Sequence, residues 1–171
     1  MDLYVLNFDK FGKNVPKACR VSPDAFVQLA MQLAFFRTHE KLGNAYESGS
    51  LRKFHLGRTD IIRTASSDVA EFLNAIKTNV SQSEKSRLLL KAINSHRQYT
   101  VNVLNCESFD RHLLGLKLTA LENKIELPEL YKDIGFQKAC HYFISSSQVS
   151  SKYDAVTSYG PLADDGYGNF V

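Results

Sequence analysis

Hydroxyl side chains recur through residues 45–63 at a spacing that could form a binding surface. Tyr46, Ser48 and Ser50 occupy every second position, which is the period of one face of a β-strand. Gly57 then breaks the run, and Thr59 begins a second extended piece. The four hydroxyls can therefore converge on one polar face and hydrogen-bond to a ligand. The alternative is an edge strand whose polar face is only solvated.

Three cations in residues 13–20 could bind an anion such as a phosphate. Lys13, Lys17 and Arg20 lie in a segment that also contains Gly12 and Pro16, which predict a loop rather than a helix. Cationic side chains can form charge-assisted hydrogen bonds to phosphate oxygens. The same composition is typical of a solvated basic surface, and the sequence leaves both interpretations open.

Arg111 and the serines at 145–147 are two further candidates. Arg111 lies in the first turn of a helix predicted over residues 108–124, where a cation meets the positive end of the helix dipole. Its position indicates either a functional role or an ion pair with a neighbour such as Asp110. The serine run follows the apolar residues 141–144 and contains neither Gly nor Pro, so we expect it to be ordered at a strand end.

These candidates need a scaffold that mixes strands and helices. Strands are predicted at 3–8, 46–53, from residue 59 onward, at 141–144 and at 154–159, followed by a turn-rich tail at 160–168. Helices are predicted at 22–41, at 108–124, and after the capping-box pairs Asp68/Glu71 and Ser81/Glu84. The expected buried stripes are Phe26, Leu29, Ala30, Leu33 and Phe35 or Phe36 in the first helix, and Phe109, Leu113, Leu116 and Ala120 in the last.

The composition is that of a soluble globular protein. The chain has 171 residues, of which 44% are apolar and 23% are charged, enough for one domain with a core. The net charge of +3 comes without a dense Lys/Arg run, which argues against nucleic-acid binding. The sequence shows no apolar run of membrane-span length and no secretory signal. Cys19, Cys106 and Cys140 lack paired spacing, which argues against disulfides and zinc and for a reducing compartment.

Residues 46–66, YESGSLRKFHLGRTDIIRTAS, resemble the signature region of the choline/carnitine acyltransferase family, and HLGRTD is most similar to the members that acetylate carnitine. Five further segments match in the same order: FGKNVPK, SPDAFVQLAMQLAFF, CESFDRHLLGLK, SSSQV and YGPLADDGYG. Several separated matches in order are far more specific than one short motif. The resemblance covers essentially the whole chain.

The resemblance implies reversible acyl transfer between coenzyme A and the hydroxyl of carnitine. Coenzyme A or acetyl-CoA would be a substrate, with no bound cofactor and no metal. Arg111 is implied to receive the carboxylate of carnitine, and choline-using members lack this arginine, so choline is the less expected acceptor. Ser147 is the implied donor to the oxyanion. The other implied carnitine contacts are Tyr46, Thr59, Ser145, Ser147 and Tyr159.

The resemblance also implies a set of contacts to coenzyme A and an acyl pocket. The implied coenzyme A contacts are Lys13, Lys17, Asp24, Ser48, Ser50, Arg97 and Gln148. Ser146 stands where the family motif carries Thr, and because the hydroxyl is kept we expect little effect. Thr157 stands where short-chain members carry Met and longer-chain members carry Gly, which implies a short- to medium-chain preference.

The implied fold is α/β, a mixed β-sheet packed with helices that forms a chloramphenicol acetyltransferase-like half, truncated at both ends. Residues 1–171 would be most of a C-terminal domain, and the N-terminal domain with the general-base histidine would be absent. None of the five histidines in the sequence lies in a segment that resembles the surroundings of that base. They are His39, His55, His96, His112 and His141. The isolated chain is therefore expected to be inactive, and an intracellular, mitochondrial or peroxisomal location is implied.

Two other functions remain open. A non-catalytic module that binds coenzyme A or acyl-CoA would need no histidine base, and the residues that would permit such binding are Lys13, Lys17, Asp24, Ser50, Arg97 and Gln148. A structural helical interaction domain would leave the polar strand faces solvated. Binding without turnover would favour the first, and a folded chain that does not bind coenzyme A would favour the second.

Overall fold

The computed structural model describes residues 2–147 and 159–170. The chain divides into two compact units. We call Met1–Leu42 with Thr64–Gln98 the helical unit, and Gly43–Arg63 with Tyr99–Val171 the sheet unit. Each candidate residue can therefore be assigned to one of the two.

The helical unit is built from α1 (Asn14–Ala18), α2 (Pro23–His39), α3 (Ser67–Lys77) and the first part of α4 (Gln82–Leu104). α2 begins as predicted, because the Ser22 hydroxyl accepts a hydrogen bond from Ala25 N at 3.3 Å and Pro23 follows the cap. It ends at Glu40, which has a left-handed backbone with φ 57°.

The next two helices also begin at serine caps. Ser81 accepts from Glu84 N at 3.2 Å, as predicted. The cap of α3, however, is Ser66, which accepts from Val69 N at 3.3 Å, whereas the predicted Asp68 lies inside the first turn. A carboxylate there suits the positive end of the helix dipole, which explains why it resembles a cap in the sequence.

The core of the helical unit lies between α2, α3 and α4. Its buried residues are Ala25, Leu29, Phe36, Val69, Phe72, Leu73, Ala75, Leu88, Ala92 and Ile93. Phe26 and Leu33 pack against this cluster, so the stripe predicted on α2 is largely confirmed. Ala30 is the exception, because it is exposed.

The prediction of a strand at residues 3–8 is wrong. Residues 2–9 have no regular secondary structure, and Leu3, Tyr4 and Leu6 are 68%, 85% and 72% exposed. Such side chains favour extended backbone, but a strand also needs a partner that completes its hydrogen-bond ladder. Within the described part of the chain, the four-stranded sheet does not include this segment.

The prediction of a loop around Pro16 is also wrong, because α1 forms there. Pro16 is the third residue of this helix. The first turn of a helix leaves its backbone N–H groups without intrahelical partners, so a proline at this point removes no hydrogen bond. The ring of Pro16 is buried.

The sheet unit contains β1 (Ala45–Ser50), β2 (Thr59–Ile62), β3 (Ile144–Ser147) and β4 (Tyr167–Phe170) in the order β2-β1-β3-β4. β1 and β2 are antiparallel, whereas β3 is parallel to both β1 and β4. The predicted α/β class with a mixed sheet is therefore confirmed.

β1 and β2 are joined by a tight connection over residues 51–58. Leu51 N donates to Arg58 O at 2.9 Å, and a Cβ atom at Gly57 would lie 2.0 Å from Leu51 O. Only glycine fits so close to the backbone. β1 ends at Ser50, three residues before the predicted end of the strand.

The third strand lies later in the sequence than predicted. β3 is the serine run itself, and of the residues predicted as a strand at 141–144 only Ile144 belongs to it. β4 begins at Tyr167, near the end of the predicted turn-rich tail at 160–168, and continues to Phe170. Most of the strand predicted at 154–159 lies outside the described residues, and Tyr159 has no regular structure.

The helices of the sheet unit are α5 (Asp110–Glu122), α6 (Glu129–Lys132), α7 (Ile134–Ala139) and the end of α4, residues 99–104. The predicted helix at 108–124 is confirmed as α5, but its predicted buried row is wrong. α5 has no buried residue, and Phe109 and Leu116 are 49% and 51% exposed. An apolar stripe marks a face suited to burial, and among the described residues that face is not covered.

None of the helices in the described ranges is both long and apolar enough to cross a membrane. Cys19, Cys106 and Cys140 are free and exposed.

Candidate functional site

One face of the sheet carries several hydroxyl groups, and we call it the hydroxyl face. Tyr46 pairs in parallel register with Ser145, and Ser50 pairs with Thr59, so these side chains point to the same side. By strand alternation the members of the hydroxyl face are Tyr46, Ser48, Ser50, Thr59, Ser145 and Ser147. The predicted convergence of the strand hydroxyls is therefore present.

The opposite face is packed against the last turn of α4. A Cβ atom added at Gly49 would lie 2.8 Å from Val103 Cγ1 and 3.1 Å from Ile62 Cγ1. Glycine is thus needed in β1 because helix and strand approach closely. This packing supports the sheet from behind the hydroxyl face.

Arg111 is joined to two of the other predicted carnitine contacts, Thr59 and Tyr46. Its Nε donates to the backbone oxygen of Thr59 at 2.9 Å, and its Nη2 donates to the hydroxyl of Tyr46 at 2.9 Å. These two bonds offset the unfavourable position of a cation at the N-terminus of α5. The alternative of an ion pair with Asp110 is wrong, because Asp110 is occupied by another arginine.

That arginine is Arg63, which the sequence did not single out. Its Nε and Nη2 donate to the two carboxylate oxygens of Asp110 at 2.9 and 2.6 Å, and both side chains are largely buried, at 17% and 7% exposure. Nη2 also donates to the hydroxyl of Tyr142 at 2.8 Å, and Nη1 donates to Ala139 O at 2.7 Å. A single arginine in a strand-like segment gives no sequence signal for such a network, because its partners lie 47 to 79 positions away.

Burial and charge shift the pKa values of both ends of this network. Burial alone would lower the pKa of the Arg63 guanidinium, but the hydrogen bond to Asp110 and the neighbouring groups raise it above its ordinary value. Burial raises the pKa of the Tyr142 hydroxyl to about 12, and the nearby Arg63 charge opposes this shift only partly. Arg63 is therefore a permanent cation and Tyr142 a neutral phenol at physiological pH.

Ser145 and Tyr159 form a second contact on the sheet. The Tyr159 hydroxyl donates to Asn169 O at 2.8 Å. Burial raises the pKa of Tyr159, and a hydrogen bond with the Ser145 side chain acts in the opposite direction. Ser145 is buried, while Ser147 at the end of β3 is partly exposed. Tyr159 thus meets the hydroxyl face at Ser145.

The residues predicted to bind coenzyme A fall in different parts of the chain. Lys13 directly precedes α1 and Lys17 lies within it, and Lys17 N donates to Lys13 O at 3.2 Å. Residues four apart lie on the same side of a helix, so both exposed ammonium groups share one side of α1.

The remaining predicted coenzyme A contacts are not joined to this pair by any described contact. Asp24 lies in the first turn of α2, and Arg97 is an exposed residue of α4. Ser48 and Ser50 are exposed on β1 in the sheet unit. Gln148 and the acyl-pocket candidate Thr157 lie outside the described residues.

The sequence also matches proteins of known activity. A sequence model of the family described as Choline/Carnitine o-acyltransferase matches residues 1–170. Carnitine O-acetyltransferase from Homo sapiens is 47% identical over 169 residues, and that from Rattus norvegicus is 46% identical. Choline O-acetyltransferase from Sus scrofa is 42% identical over 171 residues.

Each of these alignments covers 98% of the chain but only 27% of the relative. The chain thus spans about a quarter of the length of the curated relatives it matches. The match over nearly every residue nevertheless agrees with the resemblance of the signature region and of the five ordered segments. This chain belongs to the choline/carnitine acyltransferase family.

Proposed function

We propose that this chain supplies the acceptor-binding part of an enzyme that transfers acyl groups between coenzyme A and carnitine. One observation carries the proposal: the Arg111 guanidinium is fixed by Tyr46 and Thr59 beside the hydroxyl face. A fixed guanidinium next to several hydroxyls suits an acceptor that has both a carboxylate and a hydroxyl.

The free donors of Arg111 support a carboxylate ligand. Arginine has five N–H groups, and Arg111 uses one on Nε and one on Nη2. Within residues 2–147 and 159–170, Nη1 has no hydrogen-bond partner, which leaves N–H groups on both terminal nitrogens for a bidentate contact. Arg111 is partly exposed, so a ligand can reach it.

Acyl transfer then needs a base and a donor for the developing oxyanion. We assign the oxyanion to Ser147, whose side chain lies at the end of β3 on the hydroxyl face. The general base is a histidine in the part of the enzyme that this chain does not cover. Such a base contributes roughly 10²–10⁴-fold in rate, so the isolated chain is inactive in this proposal.

The same proposal assigns the domain and the donor substrate. The chain is most of a C-terminal domain, its sheet is one half of a chloramphenicol acetyltransferase-like fold, and the enzyme works in mitochondria or peroxisomes. Lys13 and Lys17 bind a phosphate of coenzyme A from one side of α1. Further contacts come from Asp24, Ser48, Ser50, Arg97 and Gln148, and Thr157 limits the acyl pocket.

Choline is the second candidate acceptor, because the choline acetyltransferases also match the chain. Choline has no carboxylate, so binding it would leave the Arg111 charge without a counter-ion. Carnitine is therefore the preferred acceptor.

The direct test compares the two acceptors in the full-length enzyme. Acetyl transfer from acetyl-CoA is measured with carnitine and with choline at equal concentrations. We expect kcat/KM to favour carnitine by at least about 100-fold, the effect of one lost bidentate charged contact. Equal use of the two acceptors would contradict the assignment of Arg111, and no transfer to either would contradict the proposed reaction.

A further inference from the structure

Arg63 connects the segments that surround Arg111. It lies one residue beyond β2, and extending the β1–β2 register by one position places it opposite Tyr46. Four of its five N–H groups are used, on Asp110, Tyr142 and Ala139. No other arginine in the described residues makes as many hydrogen bonds, so this guanidinium is a fixed junction of the sheet unit.

The first connection runs through the helix that carries Arg111. Asp110 and Arg111 are consecutive residues in the first turn of α5. Asp110 is bound by Arg63 just after β2, and Arg111 is bound to Thr59 at the start of β2. The helix has no side-chain N-cap hydrogen bond, since the preceding residue is Phe109. The first turn is therefore anchored to β2 on both sides by arginine side chains.

The second connection runs through the ring of Tyr142, which packs against Tyr46. Arg63 donates to the Tyr142 hydroxyl, and its guanidinium lies 5.2 Å from the centre of that ring. The Tyr142 ring packs edge-on against Tyr46, with ring centres 5.5 Å apart. Tyr46 in turn accepts the hydrogen bond from Arg111. Arg63 thus supports both Arg111 and the partner that fixes it.

We infer that Arg63 is a positioning residue for the acceptor carboxylate, acting on Arg111 through Asp110 and, by way of Tyr142, through the Tyr46 hydroxyl that holds Arg111. The contacts form a closed ring in which Arg63 itself does not touch the acceptor. The inference rests on the proposed function, because the consequence for substrate binding requires Arg111 to bind the carboxylate.

Lysine cannot replace Arg63 in this role. An ammonium group keeps the charge but lacks the planar fork that binds both oxygens of Asp110 while reaching Tyr142. We expect Arg63→Lys to let the first turn of α5 shift relative to β2. A displacement of about 1 Å at a bound group can cost up to about 100-fold.

The test is a double-mutant cycle in the full-length enzyme, with steady-state kinetics for both substrates. Arg63→Lys should raise the KM for carnitine by about 10- to 100-fold, with kcat and the KM for acetyl-CoA changed by less than about twofold. In the Arg111→Asn background, the same change should alter the carnitine KM by less than about twofold, because the residue acts through Arg111. Equal effects in both backgrounds would overturn the inference.

The effects of the two variants on the carnitine KM also distinguish a failure of this inference from a failure of the proposed function. If Arg111→Asn raises the carnitine KM but Arg63→Lys does not, the inference alone fails. If Arg111→Asn leaves the carnitine KM unchanged, the proposed function fails and the inference with it. Should Arg63→Lys not fold, Tyr142→Phe removes a single hydrogen bond while keeping the ring against Tyr46, and a several-fold rise in carnitine KM, absent in the Arg111→Asn background, is the expected result.

Arg87→Lys is the matched control. Arg87 binds Glu84 through Nε and Nη2 at 2.8 and 2.6 Å, nearly the geometry of the Arg63 pair. Its partner is exposed and lies on the same helix, in the helical unit. This control should leave both KM values unchanged, and a rise equal to that of Arg63→Lys would overturn the inference.

Discussion

Nη2 of Arg111 lies 2.9 Å from the hydroxyl of Tyr46, and this contact joins the first turn of α5 to a central strand of the sheet. The two residues are 65 positions apart. Neither side chain alone defines a site, but together they hold a cation beside a row of hydroxyls. The position of that cation is the basis for the proposed selection of an acceptor with a carboxylate.

Replacing Arg111 should affect one substrate only. In the full-length enzyme, Arg111→Asn should raise the KM for carnitine by about 10- to 100-fold, because charge-assisted hydrogen bonds to the carboxylate are lost. The KM for acetyl-CoA should change little. Arg111→Lys is the control for charge, and it should give an intermediate KM because it keeps the cation without the fork. A carnitine KM that Arg111→Asn does not move would contradict the prediction.

Replacing Lys13 and Lys17 with Ala should weaken the binding of coenzyme A more than that of dephospho-coenzyme A. The two ammonium groups share one side of α1, and their attraction for a phosphate is screened by salt, so the difference should shrink as salt is raised. Isothermal titration calorimetry with the two ligands measures it. The control is Lys85→Ala with Lys124→Ala, which removes the same charge elsewhere. Equal losses for both ligands would mean that the segment is only solvated.

Adding a methyl group at Gly49 should destabilise the sheet unit. The new Cβ would lie 2.8 Å from Val103 Cγ1, so the strand or the last turn of α4 must move. Overpacking of this kind costs about 1–3 kcal/mol in the free energy of unfolding, which urea denaturation measures.

Gly115→Ala is the control for that experiment. Gly115 lies in the middle of α5, and a Cβ there meets no atom within 4 Å in the described structure. Because Ala favours a helix over Gly by about 1 kcal/mol, this variant should be neutral or more stable. If Gly49→Ala is as stable as Gly115→Ala, the close approach of Val103 is not important for stability.

Tyr142 should titrate far above an ordinary tyrosine. Its pKa is raised to about 12, mainly by burial, from an unfolded value of about 10. The stability contributed by its neutral hydroxyl is therefore complete below about pH 10 and is lost as the pH rises through about 12. The difference between the 295 nm absorbance titrations of the wild type and Tyr142→Phe should have its midpoint near this higher value. A midpoint near that of free tyrosine would show that the phenol is solvated.

Thr157, which we assign to the acyl pocket, lies outside the described residues. We expect Thr157→Met to reduce transfer of acyl groups of about six to eight carbons while sparing acetyl, because a bulkier side chain removes space for methylenes worth roughly 0.8 kcal/mol each. Competition between acyl-CoA substrates of different length measures the change. Equal use of long-chain and acetyl substrates by the wild-type enzyme would contradict a gating role.

The sequence predicted those elements whose signals are local. The Ser-Pro-Asp start of α2 and the alternation in β1 both describe neighbouring residues, and both elements are present. The strand predicted at 3–8 failed because strand formation depends on a partner elsewhere in the chain. The buried row of α5 failed for a related reason, since a stripe states only which face would be buried.

In the candidate site, too, features with local signals could be predicted and features that depend on distant residues could not. The hydroxyl face follows from alternation and could be predicted, whereas the pairing of Tyr46 with Ser145 depends on a parallel register between distant strands. The hydrogen bonds of Arg63 could not be predicted, because they are set by tertiary packing alone.

The parallel pairing of β1 with β3 also determines when the site can form during folding. β1 and β2 are joined by eight residues, and closing such a loop costs about 2 kcal/mol of chain entropy, but Ala45 and Ile144 are about a hundred positions apart and their loop costs about 4 kcal/mol. The hairpin can form early, whereas the serine strand must wait for a slow, long-range encounter. Ser147, the proposed oxyanion donor, and the Arg111–Tyr46 contact therefore come together only in a late step, so partly folded chains have the hairpin but not the complete candidate site.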